Sequence, residues 1–339
     1  MVLYLFKIYC IMMLALNTAT AKSPITIAYN DAAVTYLGRW TDVGTGKWSG
    51  WGAPDIIFKC RNTSYIKVNA TVIDPNGTAL CLANQNIDNS PSVGTIKYFS
   101  TGAAIYSGTA SATYPMINDG QWHNIMFHVA GFNADIFNEV SKTTINSFEV
   151  DGGGEIAVWT TGAKIVQCVG DSWMGSQNDW QRLMDNSSYT LYSIATGGLM
   201  CSDMDTQYNF NYAGNSATTD TNANAVVVSF GVNDFNSAVT QAAFETSMYS
   251  LYDKIRAKQP TAKIFLVRCV KNVATGKDFG QYGTNMNNVV NARSNAFYVD
   301  TTSLDATIEW ANGDEYHLSD KGKQTLADFV KAALVAQGI

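Results

Sequence analysis

Histidine is nearly missing from this 339-residue sequence, which has three, at positions 123, 128 and 317. Proline is scarce as well, with six, and charged side chains make up only 15% of the chain. The six cysteines contain no Cys-x-x-Cys pair and no His/Cys spacing suggests a zinc site, and the chemistry the residues below point to needs no metal or other cofactor. Lys and Arg number 22 against 28 Asp and Glu, a net charge of −6, and no basic cluster offsets it. A chain of that sign lacks the cationic face that displaces counterions from phosphates, which argues against nucleic acid as a partner. Beyond the N-terminus no apolar run is long enough for a membrane helix, so no stable membrane insertion is expected.

At the N-terminus Lys7 precedes an apolar run over 8–16, and the stretch closes on Ala19-Thr20-Ala21. A bilayer takes about 20 apolar residues, so residues 1–21 read as a cleaved signal peptide, with an uncleaved anchor as the competing reading. Export is then expected, with Asn62, Asn69, Asn76 and Asn186 as N-glycosylation acceptors if the source is a eukaryote. In such a chain Cys60–Cys81 is the first candidate for a disulfide, whereas Cys168 and Cys269 sit in apolar strands and read as buried thiols.

Apolar residues reach 46%, too many for a disordered chain, and the length suggests two domains. Residues 22–160 read as an all-β sandwich of jelly-roll type. Strand-like segments at 55–59, 65–72 and 124–129 alternate with breakers such as Pro75-Asn76-Gly77, and only 135–140 hints at a helical turn. From 161 to 339 the texture changes. Continuous apolar strands are expected at 164–169, 189–194, 225–230, 263–267 and 296–299, with helices at 238–258, 281–293 and 319–336. That alternation predicts an α/β domain, three layers around a parallel sheet.

Ligands of such sheets bind beyond the carboxyl ends of the strands, and four polar loops fall there. They are Gly170-Asp171-Ser172, Thr196-Gly197-Gly198, Gly231-Val232-Asn233-Asp234, and the segment Asp314-Glu315-Tyr316-His317. A serine hydroxyl attacks at neutral pH only when a base takes its proton, and His317 is the one histidine beyond residue 128. Asp314, three residues earlier, is placed to orient the imidazole. Oxyanion donors are available in the Ser172 N–H, in either Gly197 or Gly198, and in the Asn233 amide.

Taken together, these blocks resemble the SGNH (GDSL-like) hydrolases over residues 164 to the C-terminus. The resemblance implies a flavodoxin-like fold, with Ser172 as nucleophile, His317 as base, Asp314 as its acid, and an oxyanion hole of Ser172, Gly197 or Gly198, and Asn233. The N-terminal half, through Gly38-Arg39-Trp40, Gly120-Gln121-Trp122-His123 and residues 145–152, is similar to the jelly roll of two-domain carbohydrate esterases of the family two type. That similarity implies an O-deacetylase of acetylated poly- or oligosaccharides. Asp171, Trp173 and Trp310 are the candidate substrate contacts, Trp173 and Trp310 because they flank the site and flat indoles suit sugar faces. Trp40, Trp122 and Trp159 read as core, and His123 and His128 as structural. Two competing functions remain: a lipase or acyl-thioesterase of the same family, and a non-catalytic carbohydrate-binding or adhesion protein.

Overall fold

The computed structural model describes residues 22–49, 55–74, 81–87, 96–98, 106–130, 142–159, 164–174, 180, 184, 189–195, 197–208 and 222–339. The leader at 1–21, the sequons at Asn76 and Asn186, Thr196 and the stretch 135–140 lie outside the described residues.

The N-terminal region is a sandwich of two antiparallel sheets. The first holds β1 (Ile25–Ala28), β3 (Thr41–Asp42), β4 (Lys47–Ser49), β6 (Tyr65–Asp74), β9 (Tyr106–Pro115) and β11 (Lys142–Val150), in the order β3-β4-β11-β6-β9 with β1 also on β11. The second holds β2 (Thr35–Leu37), β5 (Asp55–Arg61), β7 (Cys81–Ile87), β8 (Ile96–Tyr98), β10 (His123–Ala130) and β12 (Glu155–Ala157), in the order β12-β5-β10-β7-β8 with β2 also on β5. Inward residues such as Ile56, Phe58, Val68, Phe127 and Phe148 fill the space between the sheets.

Two sequence expectations fail here. Strand β10 pairs Cys60 with His123 and Cys81 with Ala130. The two cysteines therefore lie seven rungs apart, roughly 23 Å at a strand's rise per residue, whereas a disulfide needs Cα atoms within about 7 Å. Trp122 is not core but exposed, its ring 4.5 Å from the Arg61 guanidinium. His123 is buried, and its Nε2 lies 2.8 Å from Asp119.

The C-terminal region is a five-stranded parallel sheet of β13 (Lys164–Gly170), β14 (Tyr189–Ala195), β15 (Ala225–Ser229), β16 (Lys263–Val267) and β17 (Ala296–Val299). Its order, β14-β13-β15-β16-β17, is that of the doubly wound flavodoxin-like fold. Helices α1 (Cys201–Tyr208), α3 (Gln241–Lys258) and α4 (Gly283–Asn291) cover one face, and α5 (Asp320–Ala336) the other; the short α2 (Val232–Asn236) follows β15. Alternate strand residues serve the two layers: Val226 and Val228 pack under α3, whereas Ala225 and Val227 pack toward α5. That double burial is why these strands read as unbroken apolar runs.

Helix boundaries follow local capping. α3 starts at Gln241 rather than 238 because the Thr240 hydroxyl accepts the Ala243 N–H, and α5 starts where Ser319 accepts the Gly322 N–H. Helices α1 and α2 escape the sequence reading. Each spans only a turn or two, and α1 has just Cys201, Met204 and Tyr208 on its apolar side.

The two regions share one core. Leu37, Trp48, Ile57 and Met126, on the outward faces of sandwich strands, join Tyr192, Tyr208 and the residues under α1 and α3. Strand β5 is therefore buried on both sides, Ile56 and Phe58 inside the sandwich and Ile57 against the α/β domain. This explains its continuous Ile-Ile-Phe run where a half-exposed strand would alternate.

Candidate active site

Strand β13 ends at Gly170, and the chain there admits no side chain: a Cβ would lie 2.8 Å from the Ser229 carbonyl oxygen and 3.0 Å from Met174 Sδ. The backbone then turns tightly. Asp171 Oδ1 accepts the Trp173 N–H at 2.9 Å, the Asp171 carbonyl accepts the Met174 N–H at 3.0 Å, and Ser172 stands half-buried at the tip. Asp171 is fully buried, so burial pushes its carboxyl up to about 7; the Trp173 N–H opposes the shift and the nearby Asp234 adds to it. Burial likewise raises Asp234 to about 7, although both its oxygens face the Cys201 N–H, at 3.1 and 3.3 Å. Asp171 therefore braces the turn from inside and presents nothing to a substrate, which corrects its sequence assignment as a substrate contact.

The loop before α5 brings His317 to this turn. Trp310 and Leu318 pair as an isolated antiparallel bridge, and the Ala311 N–H reaches the His317 carbonyl at 2.9 Å, so 311–317 closes as a compact loop. Asp314 lies inside it. Its Oδ2 is 2.6 Å from His317 Nδ1, while Oδ1 accepts the N–H groups of Tyr316 (2.7 Å) and His317 (3.1 Å). Burial alone would raise the Asp314 carboxyl, but the imidazole and the two N–H donors hold it below the usual carboxylate range. The other imidazole nitrogen, Nε2, is 3.2 Å from Ser172 Oγ. With its proton on Nδ1, donated to Asp314, the ring turns a lone pair toward the serine hydroxyl.

Two more loops border Ser172. A Cβ on Gly197 would lie 3.7 Å from Ser172 Cβ, so Gly197 is the neighbour of the serine. Gly198 has φ +83° and open space around it, so it supplies the bend of this turn. Asn233, on α2, donates through Nδ2 to the Leu199 carbonyl at 3.0 Å and to Asp171 Oδ2 at 3.3 Å. The loops after β13, β14, β15 and β17 thus meet at one sheet edge.

The aromatic residues divide differently from the sequence reading. Trp173 is 2% exposed, so it cannot stack on a sugar; its indole N–H donates to the Tyr316 carbonyl at 2.8 Å. Trp310 is half-buried, edge-on to Trp173 with centroids 6.0 Å apart and 5.7 Å from the Phe279 ring. The sequence reading missed the loop after β16. Lys277 lies over the Tyr316 ring at 3.8 Å and pairs with Glu315 at 2.6 Å, and the Asn272 amide donates to the Glu315 carbonyl. No spacing rule ties residues 271–282 to 315–316, so only the fold could bring them together. Among the described residues, no group of three His, Cys, Asp or Glu side chains could hold a metal ion.

Residues 160–325 match the model of the GDSL-like lipase/acylhydrolase family. The C-terminal half is a GDSL-like hydrolase domain. Among curated proteins no sequence matches this chain. Solved structures extend the likeness over both regions. A family two carbohydrate esterase from Clostridium thermocellum in complex with cellohexaose has TM-score 0.66 and 16% identity, over 90% of this chain and 98% of that one. A family two carbohydrate esterase from Cellvibrio japonicus has TM-score 0.67 and 13% identity, over 93% and 98%. An acetyl xylan esterase from the rumen bacterium Butyrivibrio proteoclasticus has TM-score 0.66 and 11% identity, over 94% and 99%. At these identities the fold is what is shared: a sandwich followed by a GDSL-like domain. The domain's family makes the chain a carboxylic ester hydrolase.

Proposed function

We propose that this esterase removes O-acetyl groups from a carbohydrate through an acyl-enzyme on Ser172, and that it does so outside the cell. The reading rests chiefly on one observation: Ser172 Oγ, His317 and Asp314 stand in a single hydrogen-bonded line, at 3.2 and 2.6 Å. The carbohydrate part is supported by the fold likeness to family two carbohydrate esterases and an acetyl xylan esterase. Export is supported by the leader-like residues 1–21.

In this mechanism His317 Nε2 takes the Ser172 proton as Oγ attacks the acetyl carbonyl. The protonated ring then gives that proton to the departing sugar oxygen, leaving acetyl-Ser172. Water follows the same route: His317 deprotonates it, it adds to the acyl carbon, and acetate leaves as the proton returns to Oγ. Asp314 accepts the Nδ1–H throughout, so that proton stays on the ring, and the carboxylate stabilises the imidazolium. The oxyanion is held by the Ser172 N–H, a backbone N–H of the Gly197-Gly198 turn, and Asn233, whose longer bond to Asp171 is the one exchanged for the substrate oxygen.

The test compares wild type with Ser172→Ala on p-nitrophenyl acetate, on a p-nitrophenyl ester series of increasing chain length, and on acetylated glycans. Turnover of acetyl esters and release of acetate from a glycan, both abolished in Ser172→Ala, are the expected results. Retention of most of the rate in the variant would refute the nucleophile. A preference for long acyl chains would refute the deacetylase reading in favour of a lipase or thioesterase.

A further inference from the structure

We propose that Trp173 is a positioning residue for the base, its indole N–H clamping the peptide that carries His317 onto the turn that carries Ser172. The inference rests on the acyl-enzyme reading above and concerns how that machinery is held together.

The peptide unit joining Tyr316 to His317 has two polar atoms, and both are bound. Its carbonyl oxygen accepts the Trp173 indole N–H at 2.8 Å, and its N–H donates to Asp314 Oδ1 at 3.1 Å. One bond comes from the residue after the nucleophile and the other from the acid beside the base. A peptide unit is planar, so binding both ends fixes the plane and with it the direction in which His317 leaves the chain. The indole is itself held in place. Trp173 is buried, its backbone N–H donates to Asp171 Oδ1 at 2.9 Å, and Trp310 closes on its ring.

The other contacts on this loop hold different atoms. Lys277 pairs with the Glu315 side chain, Asn272 binds the Glu315 carbonyl, and the Ala311 N–H binds the far side of His317. Without the indole N–H the carbonyl of 316 has lost its donor, and the peptide can rotate about the remaining Asp314 bond. The Oγ–Nε2 contact is already 3.2 Å, near the upper end for proton transfer, so a small rotation lengthens the bond that both chemical steps use. A nearby apolar residue of the same size would fill the space but could not supply the donor.

The test replaces Trp173 with 3-benzothienylalanine, which keeps the bicyclic shape and lacks the N–H, and with Phe in a second variant. With p-nitrophenyl acetate, kcat is expected to fall about tenfold in the isostere, the scale of a small misplacement of a catalytic group. KM should stay within about twofold and the melting temperature near wild type, since packing is kept and substrate contacts are untouched. Acylation and deacylation both pass through His317, so the fall should appear in the burst and in the steady state alike. Wild-type kcat in the folded isostere, or a loss confined to KM or to folding, overturns the proposal. Ser172→Ala, assayed alongside, separates the two ideas: if it is dead while the isostere is fully active, the acyl-enzyme reading stands and the clamp falls.

Discussion

Arg39 of the sandwich lies with its guanidinium 4.5 Å from the centre of the Tyr208 ring, on α1 of the GDSL-like domain, and is 2% exposed. The contact sits in the apolar seam where Leu37, Trp48, Ile57 and Met126 meet the α/β core. The same α1 begins at Cys201, whose N–H is bound by Asp234, the neighbour of Asn233. The sandwich therefore supports the floor of the candidate site.

Ile57→Ala tests that seam. In an isolated sandwich Ile57 would face solvent and the change would cost little. Here it is buried against the second domain, so a loss of about 2–4 kcal/mol is expected, the range for a large-to-small core change. Denaturant unfolding of the full chain measures it; a change within the scatter of surface substitutions would show that the seam contributes nothing.

Asp314→Asn keeps an oxygen for the two backbone N–H groups but no longer favours the proton on Nδ1. The tautomer with Nε2 protonated then faces Ser172 and cannot act as base. A fall in kcat of about 10²–10⁴ with little change in KM is expected from steady-state kinetics. Near-wild-type kcat would mean that the carboxylate does not set the tautomer.

Asp171 and Asp234 give a pH dependence to stability with a definite sign. Both hold their protons to about 7 in the folded chain, against 3.8 for the ordinary carboxyl. Between those values the folded state binds more protons than the unfolded one, so stability falls as pH rises from about 4 to 7. Asp234→Asn keeps an acceptor for the Cys201 N–H and removes one of the two titrations. Melting temperatures recorded from pH 4 to 8 should decline less steeply in that variant; an identical slope would show that Asp234 is ionised in the folded state at low pH.

Gly170→Ala places a methyl 2.8 Å from the Ser229 carbonyl and against Met174. Backbone cannot yield there without moving the Ser172 turn, so about 1–3 kcal/mol of destabilisation is expected together with reduced kcat. Calorimetry and an aryl acetate assay check both, and a stable, fully active variant would mean that the strand end has room.

Much of the fold is legible without coordinates because its strands and helices carry their own periodicity. Unbroken apolar runs such as 225–229 mark strands covered on both faces, and Ser319 marks a helix start through its hydroxyl, whereas periodicity alone began α3 at 238 and missed the Thr240 cap. The four loop blocks at the strand ends are local as well, so Ser172, Asp314, His317 and Asn233 can be picked out from residue type and order. The misreadings share one cause, which is that the environment of a side chain is a non-local property. Trp173 and Trp122 are alike in sequence, yet one is buried in the site and the other exposed on the sandwich. Cys60 and Cys81 look like a pair along the chain, yet strand pairing sets them at opposite ends of β10.

Residue type, spacing and hydrophobic period were enough to mark the main strands and the longer helices of the C-terminal half and to single out Ser172, His317 and Asp314 as candidates for nucleophile, base and acid, since those signals lie within a few neighbouring positions. Whether Ser172 meets His317 145 residues away, which glycine stands beside it, and what an indole or a buried carboxyl touches were decided by tertiary packing. Contacts of that kind depend on how sheets pair and cores close, and no local pattern carries them.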